Sequence, residues 1–126
     1  MRDRPNSAEL LEIARTRLME ELLPTLPAEN KYSALMIAAA MGIAMRELKI
    51  GDAAEMEEQS MLGELLGVDV SGDASLLDLN RRFAAGLRAG EFESSESDQE
   101  IVRRLLRHVT LSKLGESNPK YLSKAD

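Results

Sequence analysis

Ala34-Leu35-Met36-Ile37-Ala38-Ala39-Ala40-Met41-Gly42-Ile43-Ala44-Met45 is the longest apolar run in the chain. Twelve residues are too few to span a bilayer, and no charge divides them into the two faces of a surface helix. The run therefore predicts a helix enclosed by other helices, and with it an all-α bundle. Ala38, Ala39 and Gly42 carry little or no side chain, so a neighbouring backbone can come close there. Extended in both directions, the helix runs from about Asn30 to Ile50, and Gly51 stops it.

The rest of the composition agrees. The 126 residues hold 20 Leu, 15 Ala and seven Met, but only nine Val plus Ile, two Phe, two Tyr and no Trp. Leu, Ala and Met favour helices, whereas strands want β-branched and aromatic residues. One helical domain over residues 1–126 is the expectation at this length. Around the central helix the pattern predicts four others, at about 7–23, 53–66, 75–89 and 98–115. The first opens on a capping box, Asn6 with Glu9, and stops at Pro24 and Pro27. The third repeats the box with Asp52 and Glu55 and ends at Gly67. The fourth places Leu76, Leu79, Phe83, Ala84 and Leu87 on one face and closes at Gly90. The fifth lines up Ile101, Val102, Leu105, Leu106 and Val109. Between them, Val68–Ala74, with Gly72 and Asp73, reads as a turn-rich loop. Residues 91–98 read as an acidic, Ser-rich mobile connector, and Asn118-Pro119-Lys120-Tyr121-Leu122 as an extended tail.

Charge and composition exclude several functions. The net charge is −6, which argues against nucleic-acid binding, since that binding rests on neutralised phosphates. The absence of cysteine excludes disulfides and thiolate metal sites. The lone histidine, His108, has Leu105 rather than Glu three residues before it, so the Glu-x-x-His pair of di-iron bundles is missing. No phosphate-binding glycine loop and no nucleophile elbow occurs. The expectation is no catalytic residue, no metal and no cofactor, with His108 structural. Met1–Pro5 shows no secretory apolar region, so the expected location is cytoplasmic, without a membrane partner.

The polar residues set on apolar faces are the candidate binding residues. Asn80 projects among Leu76, Phe83, Ala84 and Leu87. Arg46 and Glu47 interrupt the second helix, and Arg17 with Glu21 makes an i,i+4 pair on the first. The five are expected to meet as a buried network, which serves either to fix helix register or as a polar pocket floor. Arg103, Arg104 and Arg107, with Arg81, Arg82 and Arg88, form a basic concentration. Such a run is either a solvated face or a holder of phosphate groups. Met36, Met41, Met45, Met56 and Met61 are read as gap-fillers of an aromatic-poor core. Leu111 and Leu114 lie off the fifth helix's main stripe and hint at a homo-oligomer.

Several of these segments together resemble a family of small bacterial all-helical proteins, a domain of unknown function. They are Arg4-Pro5 before an Ala-Glu-Leu-Leu helix, the Leu23-Pro24-Thr25-Leu26-Pro27 loop, and the Ala-rich helix ending in Arg46-Glu47-Leu48. Leu79-Asn80 with Leu87-Arg88-Ala89-Gly90 and the closing Asn118-Pro119-x-Tyr121-Leu122 complete the pattern. Members look like gene neighbours of acyl-CoA dehydrogenases and aminoglycoside-phosphotransferase-like kinases. The resemblance implies a non-catalytic accessory protein that partners such a kinase or dehydrogenase in acyl-CoA metabolism. The alternative is an acyl or CoA-like ligand held near Asn80 and Arg46.

Overall fold

The computed structural model describes residues 4–71 and 75–124. Among these residues every regular element is helical. The α-helices are α1 (Ser7–Arg17), α2 (Ala28–Ile50), α3 (Ala53–Leu66), α4 (Leu76–Ala89), α5 (Glu96–Ser117) and a short α6 (Pro119–Lys124). The all-α reading and its five substantial helices stand. No described helix is long and apolar enough to cross a membrane. The contacts sort into two compact units. One gathers the described residues up to Gly51 and from Gly115 onward, and the other runs from Asp52 to Leu114.

In the first unit, α1 opens as the sequence predicts. The Glu9 amide donates to Asn6 Oδ1 at 3.0 Å and the Asn6 amide to Glu9 Oε2 at 2.8 Å, which satisfies two orphan donors reciprocally. The expected uniform helix to residue 23 instead changes winding. A π-helical turn, Leu18–Leu22, passes into a 3-10 turn, Leu23–Thr25, where Pro24 has no amide to continue the ladder. Pro27 caps α2, which begins at Ala28 and ends at Gly51 with φ 70°.

α2 lies along α1 and buries only Ala34, Ala38 and Gly42, a stripe of small residues four apart. The expected enclosure of its apolar middle is corrected here. Leu35, Met36 and Ile37 are 45%, 53% and 51% exposed. The reason is coverage: α1 has no buried residue of its own, and a single helix can cover one seam of another but not its whole circumference.

The large-residue core lies in the second unit, around α3. Leu62 and Leu105 are fully buried, joined by Met61, Leu65, Leu79, Phe83, Phe92 and Ile101. Phe92 belongs to the segment expected to be a mobile connector. Its apolar ring packs 5.9 Å from that of Phe83, centroid to centroid, and that burial outweighs the acidic, Ser-rich surroundings in the sequence. α5 then starts at Glu96, two residues early. α3 lacks the expected capping box, because Asp52 has φ −88° and ψ 1° rather than the extended conformation a cap needs. Of the methionines read as core fillers, Met61 is buried, but Met36 and Met56 are exposed. Leu106 and Leu111 also face solvent. Gly72 and Asp73 lie outside the described residues. The expected extended tail is the helix α6, since Pro119 at its first position already has the helical φ and lacks only an amide that would be unpaired there.

Candidate functional site

The five-residue buried network does not form, and no polar side chain is buried among the described residues. Arg17 and Glu21 pair at 3.2 Å in solvent, and Glu47 is exposed. Residues three and four apart on an exposed helix face satisfy each other more cheaply than by entering a core. Asn80 is half-buried, and its amide nitrogen donates to Glu58 Oε1 at 2.7 Å and to Leu76 O at 3.1 Å. That ties α4 to α3. The arginines of α5 are interleaved with acids. Arg103 meets Glu100 at 3.0 Å and Arg104 meets Glu64 at 3.8 Å, while Arg107 is exposed. Arg81 pairs with Asp78 at 3.5 Å. This pattern is that of a solvated face.

His108 is held in the second unit. Its Nε2 lies 2.9 Å from Ala54 O, so that nitrogen carries the proton and donates. Its Nδ1 is 3.6 Å from Glu57 Oε2. These contacts join α5 to α3. No group of acids and histidines that would hold a metal occurs among the described residues.

Arg46 differs from the other candidates. Its Nε donates to the carbonyl oxygen of Glu116, 70 positions along the chain, at 2.6 Å. Arg15, which the sequence reading passed over, donates its Nε to Ala38 O at 3.0 Å. The two side chains converge on Gly42. A Cβ there would lie 3.3 Å from Arg46 Nη1 and 3.4 Å from Arg15 Nε, so both guanidiniums pack directly against the bare glycine. The small-residue signal at Gly42 is legible in the sequence, but what approaches is a pair of arginines as well as a helix.

The two arginines border a cavity of about 210 Å³ within the first unit. Ala39, Gly42 and Ile43 form one wall, and Ser117, Asn118, Pro119 and Lys120 the other. Each guanidinium has five N–H donors, and among the described residues each gives only its Nε to a carbonyl. Among the described residues neither arginine nor Lys120 meets a carboxylate within 4.0 Å, although Glu47 and Glu116 lie on the same elements. Three cations around one cavity, with the terminal nitrogens of each arginine unbonded among the described residues, are an arrangement that favours an anion.

Other hollows in the structure lack this convergence. A cavity of about 380 Å³ between α3 and α4 is lined by Leu65, Arg82, Gly86 and Phe92. Another of about 260 Å³ is lined mainly by Leu87, Phe92 and Val102.

No curated protein and no solved structure matches the chain. A family model matches residues 24–121, most of the chain, from the proline loop into α6. The chain belongs to the family described as Domain of unknown function (DUF6285).

Proposed function

We propose that this chain is a non-catalytic interaction protein that presents α2 to a protein partner. One observation carries the reading. Tyr32, Leu35, Met36, Ala39 and Ile43 fall at i, i+3, i+4, i+7 and i+11, one apolar arc of a helix. All five are exposed, Tyr32 at 72% and Met36 at 53%. Scattered exposed leucines are ordinary, but a continuous uncharged arc of this length is the surface that helix-in-groove recognition uses. Met adds adaptable packing. The resemblance to a family whose members look like gene neighbours of acyl-CoA dehydrogenases and phosphotransferase-like kinases supplies those enzymes as the candidate partners, in a cytoplasmic setting.

The test is titration calorimetry of the full chain against each purified enzyme, with sedimentation of the chain alone. Saturable binding to either enzyme is expected. It should be lost in the double variant Leu35→Glu, Met36→Glu, whose helicity is checked by circular dichroism. A chain that binds neither enzyme and stays monomeric overturns the reading. Self-association abolished by the same substitutions would keep the surface and make the partner a second copy.

A further inference from the structure

We propose that the cavity at Gly42 binds the phosphate group of a small organic phosphate monoester. The inference rests on Arg15, Arg46 and Lys120, none of which belongs to the docking arc, while Ala39 and Ile43 of that arc border the same cavity.

The cavity's charge comes first. Arg15 and Arg46 are half-buried, and their Nε atoms are fixed by the carbonyls of Ala38 and Glu116. Anchoring by Nε holds each guanidinium plane while leaving the terminal nitrogens free to donate in parallel, the geometry that suits a phosphate oxygen pair. Two guanidiniums gathered on one glycine repel each other, and no carboxylate among the described residues pairs with either. A bound dianion would relieve that repulsion, which a singly charged carboxylate does less well. Lys120, exposed on the opposite wall, adds a third cation.

The cavity's size and lining say more about the ligand. At about 210 Å³ it is smaller than the ~300–1,000 Å³ of sites that enclose a whole drug-sized molecule. It therefore takes a head group. Ala39, Ile43 and Pro119 line the same space and give the ligand's uncharged body an apolar surface to rest on.

Binding is read by nuclear magnetic resonance, following the Gly42 amide and the arginine Nε–H signals of the full chain at constant ionic strength. The probes are inorganic phosphate, butyl phosphate and acetate. Phosphate and butyl phosphate should give saturable shifts at Gly42, Arg15 and Arg46, with butyl phosphate the tighter, and acetate should give none. Arg46→Lys retains the charge but loses the fork, so its dissociation constant should rise at least about tenfold. Lys120→Gln, at an exposed position that leaves the fold intact, should weaken binding several-fold. Equal affinity for the two phosphates overturns the organic ester and leaves a free-phosphate site. Acetate matching phosphate, or both folded variants binding like the wild type, overturns the site altogether.

Discussion

Replacing Gly86 with alanine probes the packing that the acidic connector conceals. Gly86 is buried in the interior of α4. A Cβ there would stand 2.7 Å from Cε2 and Cζ of Phe92 and 3.0 Å from Glu91 Oε2. The ring of Phe92 is 7% exposed, so it has little room to retreat without leaving the core. Alanine gains about 0.8–1 kcal/mol over glycine in a helix interior. Pushing the ring aside costs about 1–3 kcal/mol as overpacking. Expelling it forfeits about 1.5–3 kcal/mol of phenylalanine burial, and the contact with Phe83 as well. The balance is a destabilisation of about 1–2 kcal/mol. Urea unfolding followed by far-ultraviolet circular dichroism measures it. Two companions sharpen the test. Gly115→Ala lies in α5 where a Cβ meets no atom of the described residues within 4 Å, so it should be neutral or stabilising by up to about 1 kcal/mol. Adding Phe92→Leu to Gly86→Ala should remove most of the alanine's penalty, because the shorter side chain vacates the space, and the two changes are then strongly coupled. A Gly86→Ala protein as stable as the wild type would refute the placement of Phe92.

Three further outcomes are expected. Leu62→Ala, at the fully buried centre of the second unit, should cost about 2–5 kcal/mol in denaturant unfolding through lost burial and a residual cavity. Asn80→Ala should cost about 1 kcal/mol by the same assay, since it removes the bond to Glu58; an unchanged midpoint would show that this bond does not tie α3 to α4. The Asp69 carboxyl sits below its ordinary range, chiefly because the Ser71 hydroxyl donates to it, with the Ser71 amide adding to the effect. A lowered folded pKa means that the stabilisation is complete above the unfolded-chain value and is lost as pH falls through the folded one. Ser71→Ala should therefore move the Asp69 titration, read from its carboxyl carbon, upward toward the ordinary value.

The helices were legible in the sequence where local chemistry decides them. Asn6 and Glu9 cap α1 as read, and Gly51, Gly67 and Gly90 end three helices with positive φ. The misreadings fall where one side chain's fate depends on a distant partner. Phe92 sits among glutamates and serines, and nothing local says that Phe83 and Gly86 wait for its ring. Pro119 reads as a helix breaker or as a helix start, and only its position at the first turn of α6 decides which. α2 reads as central because its run is apolar all round, but composition does not say what covers it. The candidate site was half legible. Arg46 stands out as a charge in an apolar helix. Arg15 does not, since α1 carries Arg15 and Arg17 two positions apart, and only the fold turns the first toward Gly42 and leaves the second to Glu21.

The most direct test of the account is the rate at which each methionine is oxidised by dilute peroxide, resolved by mass spectrometry. Met36 and Met56 are 53% and 67% exposed and Met61 is 7% exposed, so one chain carries its own references. Thioether oxidation follows accessibility. In the free chain Met36 should oxidise about as fast as Met56 and far faster than Met61. With a saturating partner, Met36 should fall to the rate of Met61 while Met56 is unchanged. A Met36 already as slow as Met61 in the free chain would contradict the open α2 face on which the proposed function depends.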